Sequence, residues 1–502
     1  MKAAGKRLTV NLQAVLFRDV QQCFLFSTNT AEIAEDYPRQ KSKAKRRSNL
    51  LTLLRKPNQK LARELTQSPQ LSVKTLPLLS SCLPLSAFSP EDFAWMKDNL
   101  LSIKRCLLYA PSVMEAMDST EPEDPLHHHE SLLYLAFQHK GTCRHEQARH
   151  IRLGHSRLSF LGQYIVELAL VEYFLMRYPR DVTACIRERI FGLTRRSMLP
   201  RWIESAGLHD VVFASNNNVK EFDGRTKLKI VRDFFWAMLG ASFLSMGVQE
   251  VYRILFEVFN MDPDAEYCQP SPRLRYEDND RVHPEFEKEQ LCWKDILAHS
   301  ASESSSLYAK PMLFKACVPP GVTRFRGNMW DINSLPILLQ VLQYPLQFED
   351  DNTELAMSRN AGLELGLQLC FCDHLAYKLE HPRFCNERLL YLGQKIQDLV
   401  MAERLVTKHL DGPGAWLQDI HRRLLFNRVC GKYFREFKLH SHIIYRDPSE
   451  EPIFRGKNSE KIASTNVAQA LHGLGYVVYG KSEVSRLMKT IFKYERPKKK
   501  RG

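Results

Sequence analysis

His155–Leu170, HSRLSFLGQYIVELAL, comes again at Asn386–Met401 as NERLLYLGQKIQDLVM. Both copies share the frame x-x-Arg-Leu-x-aromatic-Leu-Gly-Gln, and Arg157 and Arg388 lie 231 residues apart, as do Gly162 and Gly393. A second shared segment follows each copy. Ile230–Leu244, IVRDFFWAMLGASFL, answers Ser464–Val478, STNVAQALHGLGYVV, and the pairs Ala237/Ala470 and Gly240/Gly473 are each 233 residues apart. Two landmarks repeated at nearly one offset signal a duplicated unit. Leu158, Leu161, Ile165 and Leu168 recur at steps of three and four, as do Leu389, Leu392, Ile396 and Leu399. That spacing predicts one apolar face of an α-helix in each copy.

The frame resembles the signature of the ribonuclease III family, whose usual form is N-E-R-L-E-F-L-G-D, followed later by D-x-x-E-A-L-x-G. Asn386, Glu387, Arg388, Leu389, Leu392 and Gly393 match it letter for letter, and so do Arg157, Leu158, Phe160, Leu161 and Gly162. The resemblance implies an all-α fold with two ribonuclease III-like helical domains in tandem, at 126–260 and 334–493. It also implies that the two pair through their signature helices into an intramolecular pseudo-dimer whose valley holds double-stranded RNA. Arg157, a signature residue, is expected to brace its own domain.

Ribonuclease III chemistry uses divalent metal held by carboxylates, hard oxygen ligands that also activate the attacking water. The family places two acids at i and i+4 on the signature helix and two at i and i+3 on the later one, each pair on one helix face. Carried over, those positions are Ser159, Gln163, Asp233 and Trp236 in the first copy and Leu390, Gln394, Asn466 and Gln469 in the second. Only Asp233 is an acid. Glutamine and asparagine keep a carbonyl oxygen without the charge, whereas Leu390 and Trp236 keep neither. Glu167 and Asp398, one turn further along their helices, match a different family position. The expectation is therefore two inactive centres with no metal and no cofactor, and Asp233 retained as a polar or capping residue.

Composition bounds the partners. The chain has 502 residues, 44% of them hydrophobic, and a formal net charge of +14. Arg39–Arg63 carries ten basic residues and no acid, and Lys489 onward carries seven and one. These stretches hold +10 and +6 of the +14, leaving −2 for the rest. Basic tails of this kind bind phosphates without sequence preference and with steep salt dependence. Within the first domain, Lys140, Arg144, Arg149, Arg152 and Arg157 occur with one acid, and Arg177–Arg201 holds seven arginines and two acids. Arginine suits planar, bidentate contact with phosphate. The candidate RNA contacts are therefore Lys43, Lys45, Arg46 and Arg47 in the basic arm, Arg144, Arg149, Arg152, Arg195 and Arg196 in the first domain, and Lys498, Lys499 and Lys500 in the tail.

Other segments frame these domains. Residues 1–30 carry Lys2, Lys6, Arg7 and Arg18 against one acid, Asp19, with apolar residues interspersed, and 1–38 reads as an organellar transit peptide. A basic arm spans 39–88. Ser89-Pro90-Glu91-Asp92 has the form of a helix start and predicts a bracing helix within 89–125. Asp262–Gln290 holds nine acids, four bases and four prolines, and 261–333 reads as an acidic linker. A basic tail at 494–502 follows the second domain, leaving no room for a separate double-stranded-RNA-binding domain. His127–His129 reads as a solvated helix start in preference to a metal site. Twelve cysteines without a C-x-x-C pair read as reduced, packed thiols. No run of eighteen apolar residues appears, so no membrane partner is expected.

The whole arrangement is similar to the degenerate tandem members of this family that serve group II intron splicing in plant chloroplasts. The resemblance thus implies a non-catalytic protein that binds structured intron RNA beside other splicing factors in a ribonucleoprotein, with further self-association left open. Two alternatives stand beside it: a structural ribosome-associated protein, and a weakly active double-strand-specific endoribonuclease. Mitochondrion is the alternative compartment.

Overall fold

The computed structural model describes residues 76–83, 99–111, 128–138, 149–179, 181–214, 217–218, 224–270, 310–317, 334–344, 353–372, 386–424, 436–444 and 457–491, with 114, 294 and 434 singly. The stretch read as a transit peptide, most of the basic arm, the basic tail and the Ser89–Asp92 helix start lie outside the described residues. So do Lys43, Lys45, Arg46, Arg47, Arg144, Lys498, Lys499 and Lys500.

A first series of helices comprises Leu76–Cys82 (α1), 99–106 (α2), His129–Phe137 (α3), Arg149–Arg177 (α4), Thr183–Thr194 (α5), Leu199–Ser205 (α6), Gly224–Met246 (α7) and Val248–Arg253 (α8), the last continuing into a wider turn at Ile254–Val258. A second comprises Pro311–Cys317 (α9), Ser334–Leu342 (α10), Thr353–Phe371 (α11), Glu387–Lys408 (α12), Gly414–Arg423 (α13), Lys457–Tyr479 (α14) and Lys481–Arg486 (α15), continuing into the same kind of turn at Leu487–Ile491. The all-α expectation holds. Extended pairing among the described residues amounts to a ladder of Phe213–Ala214 with Asn217–Asn218 and one bridge between Cys372 and Ile444.

The two series correspond further than the two sequence landmarks reach. Cys82 closes α1 as Cys317 closes α9. The turn after α2 places Leu108 at φ 56°, and the turn after α10 places Gln343 at φ 58°. Arg253 is paired with Glu250 and donates to the Leu107 carbonyl at 2.7 Å, and Arg486 is paired with Glu483 and donates to the Leu342 carbonyl at 2.8 Å. Gly247 and Gly480 make the breaks before α8 and α15 at φ 87° and 84°, a region where only glycine avoids a Cβ clash. The predicted bracing helix is thus the counterpart of α10 and a member of the repeated unit.

Glycines set how the signature helices meet the later ones. A Cβ at Gly162 would lie 1.9 Å from the Trp236 carbonyl oxygen, and one at Gly393 would lie 1.8 Å from that of Gln469. Gly240 and Gly473 face them, with Cβ positions 2.5 Å and 2.1 Å from the Leu158 and Leu389 carbonyls. Backbone meets backbone at both crossings, so the four repeated glycines are packing requirements. Leu161 and Phe234, fully buried, fill in behind the first crossing, and Leu392 and Leu474 behind the second.

Helix α4 also packs along α12, joining the two halves. Ile151–Arg177 is apolar and long enough to cross a membrane, but 83% of its most apolar stretch is buried inside the protein. Its burial against both α7 and α12 accounts for that composition.

Here the expectation for Arg157 fails. Its guanidinium donates to the carbonyls of His409 at 2.6 Å and of Leu410 and Gly412 at 3.0 Å, and also to that of Val406, all at the end of α12 in the other half. Its Nε donates to Ser81 at 2.7 Å. Arg388 does the converse, donating to Leu175 at 2.8 Å and to Asp181 beyond the end of α4. Each signature arginine therefore caps its neighbour's helix, whose last carbonyls lack intrahelical partners and carry partial negative charge.

His129 starts α3 as expected but is fully buried instead of solvated. Tyr109 Oη lies 3.0 Å from its Nε2 and Ser245 Oγ 2.5 Å from its Nδ1. Burial, with Lys104 and Arg253 nearby, pushes its pKa down to about 3. Met261–Pro270, the start of the acidic stretch, packs on α5. Cys268 there is fully buried, and a Cβ on Gly192 would lie 2.2 Å from the Tyr267 carbonyl. Cys82, Cys106, Cys185, Cys268, Cys317, Cys370 and Cys372 carry free thiols.

Candidate functional site

The eight positions matched to the family's metal ligands flank the two glycine crossings. Ser159 and Gln163 lie either side of Gly162 on α4, opposite Asp233 and Trp236 on α7. Asp233 is buried, and Arg232 grips its Oδ1 with Nη2 at 2.9 Å and Nε at 3.2 Å. Trp236 is half-buried and sets its ring edge-on to Phe235, with centroids 4.8 Å apart. In the second half Leu390 and Asn466 are buried, and Gln394 and Gln469 are half-buried. Among the described residues no three His, Cys, Asp or Glu side chains gather as a metal site would require.

The acids one turn along have other partners. Glu167 takes a hydrogen bond from Gln163 Nε2 at 3.1 Å and an ion pair from Lys395 of α12 at 2.7 Å. Burial alone would raise the Glu167 pKa, but the Lys395 ammonium outweighs it and holds the carboxyl below its usual value. Lys395 is pushed well above the usual lysine value despite its burial, chiefly by Glu167. Burial raises the Asp398 pKa against the pull of Lys395 and His421. His421 bonds the Asp398 carbonyl at 3.1 Å and Tyr164 Oη at 3.2 Å, and Gln418 reaches Gln163 at 3.4 Å. This seam of polar groups runs between the halves along α4 and α12.

The sides of the seam differ. Residues 183–192 and 414–423 correspond at the same offset of 231, so His421 answers Ile190, Tyr164 answers Lys395, and Phe160 answers Tyr391. On one side His421 stacks on Tyr164, with centroids 4.5 Å apart and planes at 29°. On the other, a cleft of about 190 Å³ opens among Glu167, Arg187, Ile190, Phe191, Thr194, Tyr391 and Lys395. Arg187 lies over the Tyr391 ring at 4.8 Å, and Phe191 beside it is 66% exposed. The sequence reading passed over these residues. Their signal in the sequence is the offset itself, which matches Tyr164 with Lys395 and Phe191 with Arg422, an aromatic in one half with a cation in the other.

The candidate RNA contacts divide. Arg152 and Arg196 are exposed, and Arg149 opens α4. Arg195 is half-buried, its Nη2 3.7 Å from Met198 Sδ. Other arginines of 177–201 are structural: Arg177 pairs with Asp264, and Arg189 pairs with Asp181 at 2.6 Å while lying 3.7 Å from the Tyr178 ring centroid.

Helices crossing at signature glycines, and signature arginines capping across the halves, define a ribonuclease III-domain protein. The "Ribonuclease III domain-containing protein RNC1, chloroplastic" of Arabidopsis thaliana is 49% identical over 445 residues, 88% of this chain and 82% of its own length. The protein of the same name from Oryza sativa subsp. japonica is 49% identical over 442 residues, 87% of this chain and 82% of its own. "Ribonuclease 3" of Streptococcus uberis is 30% identical over 137 residues, 27% of this chain and 57% of its own. No protein-family model matches the chain. The chain belongs to the family of chloroplastic ribonuclease III domain-containing proteins, and its compartment is the chloroplast.

Proposed function

We propose that this protein is a non-catalytic RNA-binding scaffold, two ribonuclease III-like units paired within one chain, which holds structured group II intron RNA in a splicing-competent form inside a ribonucleoprotein. The observation that carries the reading is the fate of Asp233. It is the one carboxylate at the eight matched positions, and it is buried against Arg232. A single paired carboxylate does not supply the charge that a hard divalent ion needs. The parts that build the shape persist at both glycine crossings and at both arginine caps. A-form RNA is recognised largely by shape, phosphates and 2′-hydroxyls, so such a frame can bind without cutting.

The test is a paired assay on the purified chain. Structured intron RNA and plain duplex are incubated with Mg²⁺ while binding and strand scission are followed together. Binding with intact RNA is the expected result. Metal-dependent cuts that vanish on Asp233→Ala would return the protein to the nucleases. Co-sedimentation from chloroplasts tests the cellular half of the proposal: the protein should travel with a particle rich in intron RNA, and a peak with a ribosomal subunit free of intron RNA would refute the splicing role.

A further inference from the structure

We infer that the cleft between α5 and α12 takes up a single unpaired nucleotide of the bound RNA, its base stacked on Phe191 and its phosphate met by Arg187. This rests on the RNA-binding reading above and gives it a site.

Four observations converge there. A large aromatic ring exposed on a helix usually turns inward or meets a partner, yet Phe191 stands 66% exposed at the rim of the cleft. Every nucleobase has a π-face that such a ring can cover, and base–aromatic stacking is the usual means of holding unpaired nucleotides. Second, Arg187 is exposed beside it and kept in place by the Tyr391 ring at 4.8 Å, which leaves an oriented guanidinium for a phosphate. Third, the space is about 190 Å³, larger than a water site and suited to one base. Its floor carries the Glu167 carboxylate, able to accept from an exocyclic amino group, and the Lys395 ammonium that balances it at 2.7 Å.

The fourth observation is the contrast between the sides. Where Ile190 and Lys395 leave room, His421 and Tyr164 stack on each other at 4.5 Å. Phe191 is matched by Arg422 and Arg187 by Gln418. The combination of ring, guanidinium and space therefore belongs to one side of the seam. A perfect duplex offers its bases only as edges in the grooves. A bulge or loop offers a base that can swing out at less cost than one drawn from a paired stack.

The experiment compares two RNAs on the full chain: a perfect duplex and the same duplex with one bulged 2-aminopurine. The wild type should bind the bulged RNA more tightly and change its fluorescence as the base enters the cleft. Phe191→Ala should weaken the bulged RNA by about 5- to 150-fold, the range for losing one base–aromatic stack, and leave the plain duplex unchanged. Phe191→Trp should restore binding and fluorescence response, and Arg187→Ala should lose affinity for the bulged RNA with a shallower salt dependence. Equal losses on both RNAs, or no loss on either, overturn the nucleotide pocket while RNA binding stands. If the wild type binds neither RNA, both readings fall. Phe191 is exposed, so an unchanged melting temperature for its variants is expected and separates these outcomes from misfolding.

Discussion

Replacing Arg157 by methionine should unfasten the two halves. Its guanidinium donates one bond to Ser81 and four to carbonyls at Val406, His409, Leu410 and Gly412. The side chain is 1% exposed, and burial pulls its pKa below the usual arginine value. Hydrogen bonds to a charged group contribute about 1.5–3 kcal/mol each. Four N–H groups make these contacts, Nη1 sharing its two hydrogens among three carbonyls, and together they outweigh the several kcal/mol that burying the cation costs. Methionine keeps much of the volume but leaves five carbonyls without their donor, so the loss should be about 3–5 kcal/mol. Against a typical total of about 5–15 kcal/mol, that is severe. Arg157→Lys should recover little, because one ammonium cannot span Ser81 and the end of α12 at once. Urea unfolding of the full chain at neutral pH measures the loss, and limited proteolysis should show new cutting near 406–412. A loss below about 1 kcal/mol, or one no larger than that of exposed Arg196→Met, would refute the capping argument. Arg388→Met, which uncaps α4, should behave alike.

Gly393→Ala should cost more than about 3 kcal/mol or abolish soluble expression, since its Cβ would meet the Gln469 carbonyl at 1.8 Å. Gly480→Ala, at φ 84° but with open space around it, should cost about 1–3 kcal/mol from backbone strain alone, and thermal shifts equal to those of Gly393→Ala would contradict the packing account. Lys395→Met should cost about 1–2 kcal/mol, because the pair with Glu167 is partly exposed. With the glutamate depressed and the lysine raised, the pair contributes fully between their usual values of about 4.3 and 10.4. The difference from wild type should hold flat from pH 6 to 9 and shrink as acid protonates Glu167; a constant difference down to pH 3 would speak against the ion pair. Arg195→Glu with Arg196→Glu should weaken RNA binding by about tenfold and lower the salt slope by about two, and Lys408→Glu with Arg422→Glu should do less. Equal effects would remove the asymmetry between the halves.

Much of the fold was legible because duplication supplies its own control. Helical spacing alone suggested α4 and α12, but two copies at one offset fixed which glycines and leucines belonged together. What lacked a signature was missed. The counterpart of α10 read as a separate brace because the correspondence of Leu107 with Leu342 lies in backbone shape and in the donors Arg253 and Arg486, with little shared lettering. Arg157 was assigned to its own domain because sequence shows that an arginine is kept without showing how far it reaches. His129 looked solvated beside two other histidines, yet Tyr109 and Ser245 supply the partners that let it be buried. At the candidate site the lost acids could be read directly. The open side of the seam could not, since it depends on Ile190 leaving space that His421 fills.

The mismatch between Ile190 and His421, and between Lys395 and Tyr164, has a consequence for orientation. Two identical subunits offer a long ligand the same reception whichever way it is laid down, so neither heading is favoured. Once both subunits sit in one chain, each contact can drift by itself, and exchanging the halves no longer returns the same surface. A duplex lying along the seam would meet stacked rings towards one end and an open cleft towards the other, and its two ends would cease to be equivalent. Fusing the pair thus turns a symmetric clamp into one with a heading.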